Sequence, residues 1–187
     1  VACCNQPEII QDLIHAGAQV NVKNNAGLTP LLIASIVQPS AIMPLLKSGA
    51  DANFQLDREF TLSHPRIPNY PQVNVQGITP LMFTIKNAPK TVSFMLECGA
   101  DVNHATIEGV TPLMMAIVTN SNLIPLLIQK GANVNCATVS DYAKLILSQK
   151  MNLDREGLVA GLTPLMLATL IGNANIVTIL LNNGADV

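Results

Sequence analysis

The sequence predicts an all-α solenoid, a row of stacked helix-turn-helix units joined by hairpin connections. Three observations predict it. The phrase G-x-T-P-L occurs four times, at 27–31, 77–81, 109–113 and 161–165. A Gly-Ala pair occurs five times, beginning at Gly17, Gly49, Gly99, Gly131 and Gly184. From the Thr of each phrase to the next such Gly there are 20, 20, 20 and 21 positions, a regularity that marks a structural repeat.

Each element follows from local chemistry. Thr29-Pro30 reads as a helix start, with Thr as the N-cap and Pro in the first turn, where its missing N–H costs nothing. Leu31, Ile33, Ala34 and Ile36 continue a short helix, and Gln38-Pro39 breaks it. A second helix follows with Ile42, Leu45 and Leu46 facing inward, and Gly49 stops it by supplying the left-handed C-cap conformation. Pro44 and Pro125 fall near the starts of their second helices and shorten them without breaking them. An Asp/Asn-Val-Asn hairpin closes each unit. One such unit cannot bury its apolar face alone, so the units must stack.

These residues resemble the ankyrin repeat, a unit of roughly 33 residues with a β-turn and two helices. The last unit carries the resemblance best, with Thr163-Pro164-Leu165-Met166-Leu167-Ala168, Gly172-Asn173, Ile176-Val177, Leu180-Leu181 and Gly184-Ala185-Asp186-Val187. Two departures stand out. The histidine of the family's T-P-L-H is replaced by Leu32, Met82, Met114 and Met166, so apolar packing is expected where that histidine forms hydrogen bonds. The three earlier complete units are one residue shorter between their helices.

Two connections are long. Gly17 to Gly27 and Gly99 to Gly109 are 10 positions each, whereas Gly49 to Gly77 is 28 and Gly131 to Gly161 is 30. The boundaries that follow are a partial repeat at 1–21, repeats at 22–53, 76–103 and 104–135, a truncated repeat at 161–187, and finger insertions at 54–75 and 136–160. Val1 and Val187 therefore read as cuts within a longer array, because capping repeats with polar outer faces are missing. In the first finger Pro65, Pro68 and Pro71 are spaced by three, which suits a stiff extended loop. In the second, residues Ser140 to Leu147 suit a short capped helix. Phe54, Phe60, Tyr70 and Tyr142 lie in the fingers, as small hydrophobic anchors or as interface hot spots.

Composition narrows the function classes. The 187 residues are 49% hydrophobic and only 12% charged, with a net charge of -2, so a large core is available and disorder is disfavoured. Lys and Arg are scattered, which disfavours nucleic-acid binding and a polybasic membrane anchor. Pro, Gly, Asn or charge interrupts every apolar run before it reaches a membrane span, so direct membrane insertion is not expected. Cys3, Cys4, Cys98 and Cys136 form no C-x-x-C pair, and His15, His64 and His104 lie far apart, so no metal, cofactor or disulfide framework is expected. That cysteine usage points to an intracellular, cytoplasmic location. No phosphate loop, nucleophile elbow or metalloprotease motif occurs, and His64 with Asp57 or Glu59 reads as an accident of a surface loop. An enzyme is not expected.

The resemblance implies a protein or peptide ligand bound on a concave face, built from hairpin tips and the exposed side of each first helix. The late first-helix positions here are Ile36, Val37, Lys86, Val118, Leu170 and Ile171, and the tips are Asn25, Val75, Ile107, Glu108 and Val159. Most are apolar, as an interaction site would be. The fingers either flank this face or fold back over it. The expected partner-binding residues are Ile36, Val37, Phe60, Tyr70, Ile107, Val118, Tyr142, Leu170 and Ile171. Asn103 and Asn135 lie in hairpins similar to those that asparaginyl hydroxylases modify in the family. A scaffold or adaptor is the expected role, or else a regulatory domain of a membrane channel or a ubiquitin-ligase adaptor. Flanking sequence discriminates these.

Overall fold

Every Thr-Pro phrase starts a helix. The computed structural model describes residues 7–56, 76–139 and 160–187. Within them lie α1 (Pro7–His15), α2 (Pro30–Val37), α3 (Ile42–Lys47), α4 (Pro80–Asn87), α5 (Val92–Glu97), α6 (Pro112–Thr119), α7 (Ile124–Gln129), α8 (Pro164–Ile171) and α9 (Ala174–Asn182). The architecture is an all-α repeat fold, and no strand forms among the described residues. Phe60, Tyr70 and Tyr142, the three prolines spaced by three, and the helix expected from Ser140 to Leu147 lie outside the described residues.

The caps behave as their chemistry requires, with one exception. Thr29, Thr111 and Thr163 accept hydrogen bonds from the amides of Leu32, Met114 and Met166 at 3.2–3.3 Å. Thr79 makes no such bond, and its buried hydroxyl has no partner. Between the paired helices, 3₁₀ turns at Pro39–Ala41, Pro89–Thr91 and Ser121–Leu123 replace the one-residue-longer link of the last unit, where Gly172 turns the chain at φ 75°.

The chain divides into two compact units, Val1–Asp57 with Thr79–Asp101, and Arg58–Ile78 with Val102–Val187. In the first unit α2 packs against α4, and α3 packs against both α1 and α5. Leu31, Leu32, Ile42, Leu45, Leu81, Met82 and Met95 form its core at 0–1% exposure. Burying each such side chain contributes about 1.5–3 kcal/mol before conformational entropy is charged against it. Asn87 of α4 donates to the carbonyls of Ser35 and Ile36, satisfying the C-terminal end of α2. Phe54 and Leu56, at the root of the first finger, are also buried, and the Lys23 ammonium lies 4.9 Å from the Phe54 ring centre. Phe54 thus serves as an anchor.

In the second unit α6 packs against α7 and α8, and α8 against α9. At the place of the family's histidine Met114 is fully buried, as Leu32 and Met82 are in the first unit. Met166 departs from this pattern at 51% exposed.

Turns are tied together by asparagine side chains. In the first unit Asn21 donates to Gly49 O and accepts from Asp51 N, and Asn53 repeats the pair with Gly99 O and Asp101 N. In the second unit Asn103 bridges Gly131 O and Asn133 N, and Asn135 bridges Gly184 O and Asp186 N. Each carboxamide spends a donor and an acceptor on the backbone of the next turn, which fixes the register between neighbours.

Three of the connections share one closure. In the short one, Thr106 N donates to Val110 O at 3.0 Å, Gly109 N to Thr106 O at 2.8 Å, and Val110 N to Thr106 Oγ1 at 3.2 Å. At the second finger the same three bonds join Thr138 to Gly161 and Leu162, at 3.0, 2.7 and 3.0 Å. Asn24 closes the first connection with its carboxamide oxygen in place of the hydroxyl, accepting from Leu28 N at 2.9 Å.

Candidate protein-binding surface

The first helices expose their last turn unevenly. In the first unit Val37 is 66% exposed and Ile36 half-buried, while Lys86 is exposed on α4. Leu31, Leu32, Ala34 and Ser35 turn inward and occupy the buried side of α2, so the last turn carries what remains outside.

In the second unit Leu170 and Ile171 end α8 at 43% and 38% exposed, while Leu167 and Ala168 just before them are buried. At the hairpin tips Ile107 N donates to Gln76 O at 3.3 Å and Val139 N to Glu108 O at 3.0 Å. The connections run so close that a Cβ on Gly109, whose φ is +79°, would come within 2.9 Å of the backbone of Ala137, Thr138 and Val139. This backbone contact leaves the side chains of Ile107 and Val139 exposed.

Two expectations are overturned here. Val118 is 6% exposed and cannot line an open surface. Every residue of α6 from Pro112 to Val118 is buried, and both α7 and α8 pack against this helix. Glu108 was expected at a tip in solvent and is buried, with its carbonyl paired to the next connection. Of the expected binding residues, the structure exposes Val37, Ile107, Leu170 and Ile171, half-buries Ile36 and buries Val118; Phe60, Tyr70 and Tyr142 lie outside the described residues.

Asn103 and Asn135 are exposed, but both ends of each carboxamide are held, as described above. Val139 was missed by the sequence reading. The signal was present: Thr138 stands seven positions after Gly131 as Thr106 stands seven after Gly99, so Val139 corresponds to Ile107.

Residues 38–138 match a family model for three copies of the ankyrin repeat, and residues 160–187 match a single ankyrin repeat. The chain belongs to the ankyrin-repeat family. No curated protein matches the chain significantly. Ankyrin repeats are in general protein–protein interaction modules and are typically non-enzymatic. Among the described residues of this ankyrin-repeat chain, no helix is long and apolar enough to cross a membrane.

Proposed function

We propose that this chain acts as a scaffold or adaptor that binds a protein or peptide through apolar side chains at the ends of its first helices and at its hairpin tips. The observation that carries the reading is the 66% exposure of Val37 at the end of α2, a helix whose Leu31, Leu32, Ala34 and Ser35 are buried and against which α4 already packs. A helix end that carries two large apolar side chains, Val37 exposed and Ile36 half-buried, suits a surface that a partner dries. In the second unit Ile107 and Val139 present the same chemistry at the hairpin tips, and Leu170 and Ile171 at the end of α8. Intracellular, cytoplasmic residence is part of the proposal and rests on the cysteine spacing.

The test is a pair of measurements on Val37→Glu, Leu170→Glu and Val118→Glu. The first two replace exposed side chains, so each should change stability by no more than about 0.5 kcal/mol. Both should abolish capture of the partner identified by affinity purification of the wild-type chain. Val118→Glu places a carboxylate in the interior and should cost several kcal/mol, about the penalty for burying an unpaired polar group or more. Unchanged capture by Val37→Glu, or a marked fall in its melting temperature, would overturn the proposed surface.

A further inference from the structure

We infer that Asn183–Gly184 is a deamidation site that the folded state holds inert through the hydrogen bonds at the end of α9. The residues before the five Gly-Ala glycines are Ala16, Ser48, Cys98, Lys130 and Asn183, so only the last repeat carries an Asn-Gly pair there. Glycine leaves its amide nitrogen unhindered by a Cβ, which makes it the best neighbour for attack on an asparagine side chain. Asn183 and Gly184 are both exposed, so water reaches the reacting atoms.

The chemistry uses only the chain and water. The Gly184 nitrogen attacks Asn183 Cγ, an N–Cγ bond forms, and the Cγ–Nδ2 bond breaks. Ammonia leaves with the proton given up by the Gly184 amide. Water then opens the succinimide at either carbonyl, giving aspartate or isoaspartate at position 183.

The fold opposes the first step at three places. Asn183 Nδ2 donates to Ile179 O at 2.7 Å, which holds the carboxamide back along the helix. Gly184 N donates to Leu181 O at 3.1 Å, so the nucleophile is occupied. Asn135 Nδ2 donates to Gly184 O at 3.0 Å, tethering the far side of the residue whose nitrogen would have to move. Asn183 sits at φ -109° and ψ 21°, and ring closure requires it to leave that ψ. Reaction therefore waits on local opening of the last helical turn. Once it occurs, the new carboxylate faces the negative end of the α9 dipole and Ile179 O loses its donor, so the product keeps the turn open.

The test follows the Asn-to-Asp mass change in the peptide containing residue 183, during incubation at mildly alkaline pH. Wild-type chain in native buffer should react at least about tenfold more slowly than the same chain unfolded in urea, because opening limits the rate. Asn183→Gln should remove the signal. Asn135→Ala, checked by circular dichroism to be folded, should accelerate the native-buffer reaction. Should that variant not fold, wild-type chain in urea below its unfolding midpoint replaces it, and the rate there should rise ahead of global unfolding. Equal rates in native buffer and urea would overturn the gating. Absence of reaction at 183 in urea would overturn the site, and a folded Asn135→Ala chain reacting at the wild-type rate would overturn the clamp.

Discussion

Thr106 and Thr138 each stand seven positions after a Gly-Ala glycine and each closes a loop with the same three hydrogen bonds. Counted between the residues that the closing bonds join, the first loop spans five residues, 106–110, and the second spans 25, 138–162. The closing chemistry depends only on the threonine and on the Gly-x pair that returns to it. Chain length between them enters through loop entropy alone, which grows slowly: a roughly fivefold longer loop costs about 1.5 kcal/mol. A repeat can therefore accept a finger at this point without loss of register. The first finger is rooted differently. Leu56 holds the corresponding place seven positions after Gly49; its side chain has no hydrogen-bonding atom, and it is 1% exposed. Burial of Leu56 and Phe54 anchors that root where Thr138 uses its hydroxyl.

The glycines that end the two threonine-closed loops should respond most differently. Gly109 has φ +79° and no room for a Cβ, whereas Gly161 has φ +93° and no heavy atom within 4 Å of where a Cβ would stand. Gly109→Ala should cost about 3 kcal/mol or more, since backbone must move as well as a left-handed residue being imposed, and Gly161→Ala about 1 kcal/mol. Urea midpoints measure both. Equal costs would show that the two connections do not differ as their geometry indicates.

Replacing residues 139–160 with the Ile-Glu pair of the short connection should leave a cooperative melt and raise stability by up to about 1.5 kcal/mol from loop entropy. Loss of folding would mean that the finger contributes to the core, and would count against the open-surface proposal as well.

Thr106→Val and Thr138→Val each remove one acceptor from a buried loop closure and should cost about 1 kcal/mol apiece, because the bond lost is the same. A much larger loss at Thr138 would mean that the long loop depends on its threonine in a way the short one does not.

The smallest effect is expected at Thr79. Its hydroxyl is buried without a partner, so Thr79→Val should change stability by no more than about 0.5 kcal/mol, whereas Thr111→Val, which loses a real cap, should cost about 1 kcal/mol.

Helix starts and stops were legible because they are settled within a few residues. Thr-Pro begins α2, α4, α6 and α8, and a glycine with positive φ ends α3, as at Gly49 with φ 84°. The inward side chains Ile42, Leu45 and Leu46 were legible for the same reason, being set by helical period. The site was less so. Ile36, Lys86, Val118 and Leu170 occupy the same position of successive first helices, yet they are half-buried, exposed, buried and exposed. The asparagine bridges were equally hidden, since the short phrases that end in Asn21, Asn53, Asn103 and Asn135 read as backbone hairpins while the structure uses side chains. By itself the sequence determined the repeat, its period, its helix boundaries and the family, because those depend on caps, turns and periodicity carried locally. Only the tertiary structure decided which copy of a repeated position meets solvent, because exposure is a property of what packs against a side chain, and neighbours change from one repeat to the next while the motif does not.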